Sequence, residues 1–190
     1  FEGEKIYNGN PSGCDNNTVV HGGLIWFRKE TDYLKTFTPL PSHNLQNFLL
    51  IDSGKPSEST SEMVHDLSLR AKRRNLYYTK IFSDQELIAK EIIKVLKEND
   101  EKKLMQIIKS AEINLEKLGV VGKTAKSIIR KIESLKGAAK ITGAGGIKKG
   151  SGMILAFHKD PNKLMRFAES NNLRYYSTQI SNEGVKIENE

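Results

Sequence analysis

The feature that most restricts what this chain can fold into is a long helical block held between short apolar runs. Phe48-Leu49-Leu50-Ile51 is a continuous apolar segment ending in Asp52-Ser53-Gly54, the pattern of a buried strand. Pro56 and Ser57 open the block. Ser57 or Ser59 caps a helix whose first turn carries Glu58 and Glu62, and which is predicted to run to about Tyr78. Ser83-Asp84-Gln85-Glu86 has the form of a capping box. It predicts a new helix start ahead of Leu87, Ile88, Ile92, Val95 and Leu96. Another helix is predicted from Asp100, with Leu104, Ile107, Ile108, Ala111, Leu115 and Leu118 in one stripe and Gly119 as its stop. A further amphipathic helix follows Gly122 through Ile128, Ile129 and Ile132. Strands are predicted over Ala138–Thr142 and Met153–Phe157, a helix from Asp160-Pro161 to about Asn171, and strands over Leu173–Ser177 and Val185–Ile187. This order implies an α+β layer, an antiparallel sheet covered by helices.

The first 17 residues read as irregular. Turn formers crowd Asn8-Gly9-Asn10-Pro11-Ser12-Gly13-Cys14-Asp15-Asn16, with the Asp15 carboxylate among them. Gly9 and Gly13 open backbone conformations closed to other residues, and Pro11 fixes one φ angle. Such a loop can hold Asp15 at the mouth of the strand predicted over Thr18–Arg28. That placement suits a catalytic carboxylate, and equally the ordinary chemistry of a turn. Gly22 and Gly23 imply a bulge or a close backbone approach. A short strand near Tyr33–Thr38 is expected to pair with the first, and Pro39 and Pro41 then punctuate the chain. The expected domains are therefore 1–43 and 44–190.

Composition narrows the classes. Hydrophobic residues make up 37% of the 190, enough for a core, while no apolar run is long enough to span a bilayer. The single cysteine, Cys14, excludes an intrachain disulfide and a cysteine zinc cluster. It points to a cytoplasmic protein, with Cys14 a packing residue or a reactive thiol. The net charge of +7 suits nucleic acid, an anionic membrane or phosphorylated small molecules. The basic residues are scattered along helices, and their densest cluster, Arg70-Ala71-Lys72-Arg73-Arg74, reads as a solvated helix face. No zinc-finger or aromatic RNA-binding signature is present, so neither nucleic acid nor membrane is the expected partner. His21, His43, His65 and His158 lack metal-ligand spacing and read as structural or surface residues.

Taken in order, four stretches resemble the GHMP kinases over nearly the whole chain. They are Phe1-Glu2-Gly3-Glu4-Lys5; Pro11-Ser12-Gly13-Cys14-Asp15-Asn16 followed by Gly22-Gly23; Asp52–Thr60; and Ala139-Lys140-Ile141-Thr142-Gly143-Ala144-Gly145-Gly146. The resemblance implies the end of an N-terminal domain of the ribosomal protein S5 domain 2-like type, followed by a ferredoxin-like α+β C-terminal domain. It implies an ATP-dependent phosphotransferase with Mg2+ and a small-molecule alcohol as acceptor. Mevalonate is the favoured acceptor, and a sugar or phosphomevalonate the alternative. A homodimer is compatible with it. A non-catalytic basic binding module is the competing class.

The resemblance makes Asp15 the catalytic carboxylate beside the acceptor hydroxyl and Glu4 the magnesium ligand. It gives Ser12 and Thr60 to the substrate, and Gly143, Ala144, Gly145 and Gly146 to the phosphates. Each has a plainer reading: an exposed strand-end charge for Glu4, a first-turn helix residue for Thr60, and a tight hairpin needing positive φ for the glycines. Ile147-Lys148-Lys149 interrupts the family's run of glycines, either helping to neutralise phosphate or decorating a longer loop. The family's first motif, a Gly/Ser-rich phosphate loop, has no counterpart. The chain is therefore expected to be the C-terminal part of a longer kinase and inactive on its own.

Overall fold

The computed structural model describes residues 12–31, 33–40, 47–178 and 183–186. The chain divides into two compact units, Phe1–Gln46 with Gln179–Glu190, and Asn47–Thr178.

In the smaller unit, α1 spans Cys14–His21, β1 Leu24–Lys29 and β2 Lys35–Leu40. Thr18–His21, expected to be extended, is helical. Gly13, at φ 87°, makes the left-handed turn that launches the helix. The Asn17 amide and the Thr18 hydroxyl then donate to the Gly13 and Cys14 carbonyls one turn back. Against these local bonds, the reluctance of Thr and Val to be helical amounts to only about 0.7 kcal/mol per residue at most. Gly22 and Gly23 end the helix with positive φ of 68° and 66°. Gly22 is also a close approach, since a Cβ there would lie 2.4 Å from the Glu183 carbonyl carbon. β1 and β2 pair antiparallel from Leu24 opposite Leu40 to Lys29 opposite Lys35. Pro39, expected to punctuate the chain, lies within β2, which among the described residues pairs on one side only and leaves an edge that needs no donor. Val185 and Lys186 form no strand, although Val185 N–H donates to Val20 O. Ile187 lies outside the described residues.

The larger unit holds β3 (Phe48–Asp52), α2 (Thr60–Arg73), α3 (Asn75–Glu98), α4 (Glu101–Leu118), α5 (Lys123–Ser134), β4 (Ala138–Ile141), β5 (Met153–Phe157), α6 (Pro161–Ser170) and β6 (Tyr175–Ser177). Its sheet runs β4-β5-β3-β6, every neighbouring pair antiparallel. With α2 to α5 standing as the first helical layer, this is a β-α-β-β-α-β order on a ferredoxin-like sheet, as the α+β reading required. Helix α4 packs on β4 and α3, α5 on β4 and β5, and α6 on β3 and β5. The core joins Ile51, Ile129, Ile132, Ile141, Ile154 and Leu164.

The helix punctuation follows from local chemistry. Ser59 and Glu62 form a reciprocal capping box ahead of α2. The Asp100 carboxylate caps α4, and Gly119 closes it at φ 72°. Asp160 caps α6 with Pro161 in its first turn. The break between α2 and α3 falls at Arg74 (φ −133°, ψ 53°), not near Ser83. Ser83-Asp84-Gln85-Glu86 lies inside α3, because buried Tyr78 and Ile81 keep the helix docked on the core through that point. Arg70 also departs from the solvated-face reading. Its guanidinium donates to Leu118 O at 2.6 Å and its Nε bonds Asp66, so it ties α2 to the end of α4. Gly119 makes room for it, since a Cβ there would meet Arg70 Nη1 at 2.6 Å. Lys72, Arg73 and Arg74 are exposed.

Candidate active site

Glycines converge where β3, α5 and the β4–β5 connection meet. The connection runs from Thr142 to Gly152 and opens with Gly143 and Gly145 at φ 71° and 79°, so the positive φ of the plainer reading is present, in a connection too long for the tight hairpin it expected. A Cβ on Gly143 would meet nothing within 4 Å, whereas one on Gly145 would strike Val120 O at 2.1 Å. The turn is thus open at Gly143 and pressed against the α4–α5 junction at Gly145. Among the described residues, no hydrogen bond engages the N–H groups of Gly143 or Ala144. Such amides can receive an anion. Gly146 is anchored, its N–H donating to Val120 O at 2.9 Å and its backbone bridging Val121.

Behind the turn the backbones touch. A Cβ on Gly150 would lie 1.9 Å from Gly54 O, one on Gly146 2.5 Å from Gly150 O, and one on Gly122 2.8 Å from Gly146 O. Two buried hydroxyls work inside this junction. Ser151 Oγ donates to Gly146 O at 2.7 Å and accepts Gly122 N–H at 2.9 Å. Ser53 Oγ donates to Gly152 O at 2.7 Å and accepts Ser151 N–H at 3.0 Å. Asp52 holds the start of the β3 loop, accepting Gly54 N–H at 2.8 Å and Arg174 Nη2 at 2.9 Å.

The inserted Ile147-Lys148-Lys149 segment has a partner that the sequence did not signal. The Glu58 carboxylate accepts Ile147 N–H at 3.4 Å and Lys148 N–H at 3.2 Å. Desolvation pushes this carboxyl up, but hydrogen bonds from its own amide and those of Lys148 and Ile147 hold it below its ordinary value.

Beneath the turn sits Glu112, completely buried on α4. Its Oε2 accepts Ile141 N–H at 2.9 Å, which satisfies a donor on the sheet's outer strand. Oε1 has no partner. Burial pushes Glu112 up to about 7, against the pull of the Ile141 amide. Lys140, whose Nζ donates to Ile141 O at 2.7 Å, is lowered by burial, with Glu112 opposing. Glu112 lies four residues after Ile108 and three before Leu115, inside the apolar stripe. An acid at a stripe position was the signal for it.

The remaining candidates lie as follows. Asp15 is exposed in the first turn of α1, on a helix and not in the loop expected. Ser12 is exposed, and its hydroxyl accepts Cys14 N–H at 3.1 Å. Thr60 is the exposed first residue of α2. Glu4 and His43 lie outside the described residues. His158 is buried, with Nε2 bonded to Leu135 O and Nδ1 accepting Asp160 N–H; His21 stacks on Phe37. No described helix is long and apolar enough to cross a membrane.

No family model matches the chain. It is 28% identical to a mevalonate kinase of Arabidopsis thaliana, over 98% of this chain and 50% of that protein. It is 27% identical to a mevalonate kinase of Aeropyrum pernix, over 99% of this chain and 56% of that protein. The chain thus spans about half the length of these curated relatives. Its fold is similar to that of the L. major mevalonate kinase solved in complex with R-mevalonate, with a TM-score of 0.78 and 20% identity, covering 94% of this chain and 56% of that one.

Proposed function

We infer that this chain is part of a GHMP kinase, mevalonate kinase-like, and we propose that the whole protein transfers the terminal phosphoryl group of ATP to the hydroxyl of mevalonate. The observation that carries this reading is the likeness to mevalonate kinases along nearly the full chain. The open, glycine-built turn at Gly143 supports it from the side of the phosphates.

Phosphoryl transfer asks for position and charge compensation more than for covalent chemistry by the protein. The Gly143–Gly146 turn supplies backbone amides to the phosphates, and Gly143 lets an anion approach because no Cβ stands there. Lys148 and Lys149 add positive charge beside it. Asp15 takes the proton from the acceptor hydroxyl or stabilises that hydroxyl's developing charge. It does so from an exposed position in the first turn of α1. Ser12 and Thr60 orient the substrate. Glu4 would offer a hard carboxylate oxygen to Mg2+, which would supply neutralisation of charge on the phosphate oxygens. The single cysteine fits a cytoplasmic enzyme.

The test is an acceptor panel on the full-length protein. ADP release with ATP is expected to depend on mevalonate and to stay near background with phosphomevalonate or galactose. Turnover with either of those in preference to mevalonate would transfer the assignment to another member of the family. Salt-sensitive nucleic-acid binding with no nucleotide binding would replace the kinase reading with a basic binding module.

A further inference from the structure

We propose that Ser151 and Glu58 are positioning residues, which clamp the Gly146–Ile147 peptide unit from its two sides and so hold the Gly143–Gly146 turn in its phosphate-facing form. The proposal rests on the kinase reading for what the turn faces, though not for the clamp itself.

A single peptide plane carries both contacts. Its carbonyl, Gly146 O, points inward and accepts the Ser151 hydroxyl at 2.7 Å. Its N–H, on Ile147, points outward to the Glu58 carboxylate at 3.4 Å, and the next N–H, on Lys148, reaches the same carboxylate at 3.2 Å. A peptide plane flanked by glycine turns on readily, because glycine imposes little conformational restriction. Gly54, Gly122, Gly146 and Gly150 bring bare backbone to the junction, so few side chains besides the Pro56 ring beside Gly146 pack against that plane. Hydrogen bonds on both sides hold the plane as well. Rotating it would strand the buried Ser151 hydroxyl, which also accepts Gly122 N–H at the start of α5, and leaving a buried polar group unmade is costly.

The two partners are of different kinds. Ser151 is 1% exposed and is itself fixed by Ser53 through its own N–H. Glu58 is half-buried, just ahead of the α2 cap. Ser151 therefore fixes the plane to the core, and Glu58 fixes the Lys148-bearing insertion to the start of α2. The inserted residues, which break the run of glycines, are held by a carboxylate from nearly ninety positions earlier in the chain.

Hydrogen–deuterium exchange and steady-state kinetics on the full-length protein test this. Glu58→Ala and Ser151→Ala are each expected to speed exchange across 146–148 about tenfold while α4 keeps its protection. Each should raise KM for ATP about tenfold with kcat changed less than threefold, the pattern of lost ground-state binding. Glu58→Gln keeps an acceptor and is expected to restore slow exchange. Where Ser151→Ala also loosens α4, the half-buried Glu58→Ala variant decides. Unchanged exchange across 146–148 in Glu58→Ala would overturn the clamp. Faster exchange in a protein that transfers no phosphate from ATP would uphold the clamp and sink the kinase reading.

Discussion

Helices α1 and α4 differ in what holds them. Helix α4 buries Leu104, Ile107, Ile108, Ala111 and Leu118, is capped by Asp100 and closed by left-handed Gly119. Helix α1 buries none of its residues, and Val19 and Val20 on it are 65% and 54% exposed. One helix is specified by an apolar stripe and its caps. The other is set by a glycine turn and two side-chain bonds back to its own first carbonyls. The larger unit therefore holds the buried core of the described residues, and the proposed catalytic carboxylate, Asp15, sits on a helix that buries none of its own residues.

Core truncation should separate the two most strongly. Ile129 is fully buried on α5, and Ile129→Ala is expected to cost about 2–5 kcal/mol, read as a large drop in thermal midpoint. A loss under ~1 kcal/mol would mean the core tolerates the cavity and the contrast is overstated.

Glu112 gives a pH-dependent effect of the next size. Its folded value, about 7, lies above the ordinary 4.5, so the folded chain binds the proton more tightly than the unfolded one. Its favourable contribution is present below pH 4.5 and is lost as pH rises through about 7. At about 1.4 kcal/mol per pKa unit the total is a few kcal/mol at most. Glu112→Gln should flatten the fall in stability across this range in denaturant titrations. An unchanged slope would assign the pH dependence elsewhere.

Ser59→Ala removes half of the α2 capping box and should cost about 1 kcal/mol, measured by the same titrations. Val19→Ala on α1 should stay within about 0.5 kcal/mol. A larger loss for Val19 would mean that α1 is packed by contacts beyond those described.

The same contrast explains what the sequence revealed. The stripe of α4, the caps at Ser59, Asp100 and Asp160, and the stop at Gly119 are local patterns, and each appears where the residues call for it. The Thr18–His21 stretch misled because β-branched composition is a weak preference, overridden by the turn at Gly13. Ser83-Asp84-Gln85-Glu86 misled because a capping motif matters only where a helix is free to begin, and Tyr78 and Ile81 already hold that helix on the core. The glycine-rich turn was legible from its residues. Its supports were not, because Glu58 meets Ile147, and Ser53 meets Ser151, only through tertiary folding. Arg70, hidden in a basic run, reaches inward for the same kind of reason.

In the proposed mechanism Asp15 serves chemistry and not folding. The direct test is kcat for mevalonate-dependent ADP release by the full-length protein with Asp15→Asn, beside its thermal midpoint. A fall of about 10²–10⁴-fold in kcat, typical of a lost acid–base group, with an unmoved midpoint is the predicted result. Turnover near wild type, or a loss of activity explained by unfolding, would contradict it.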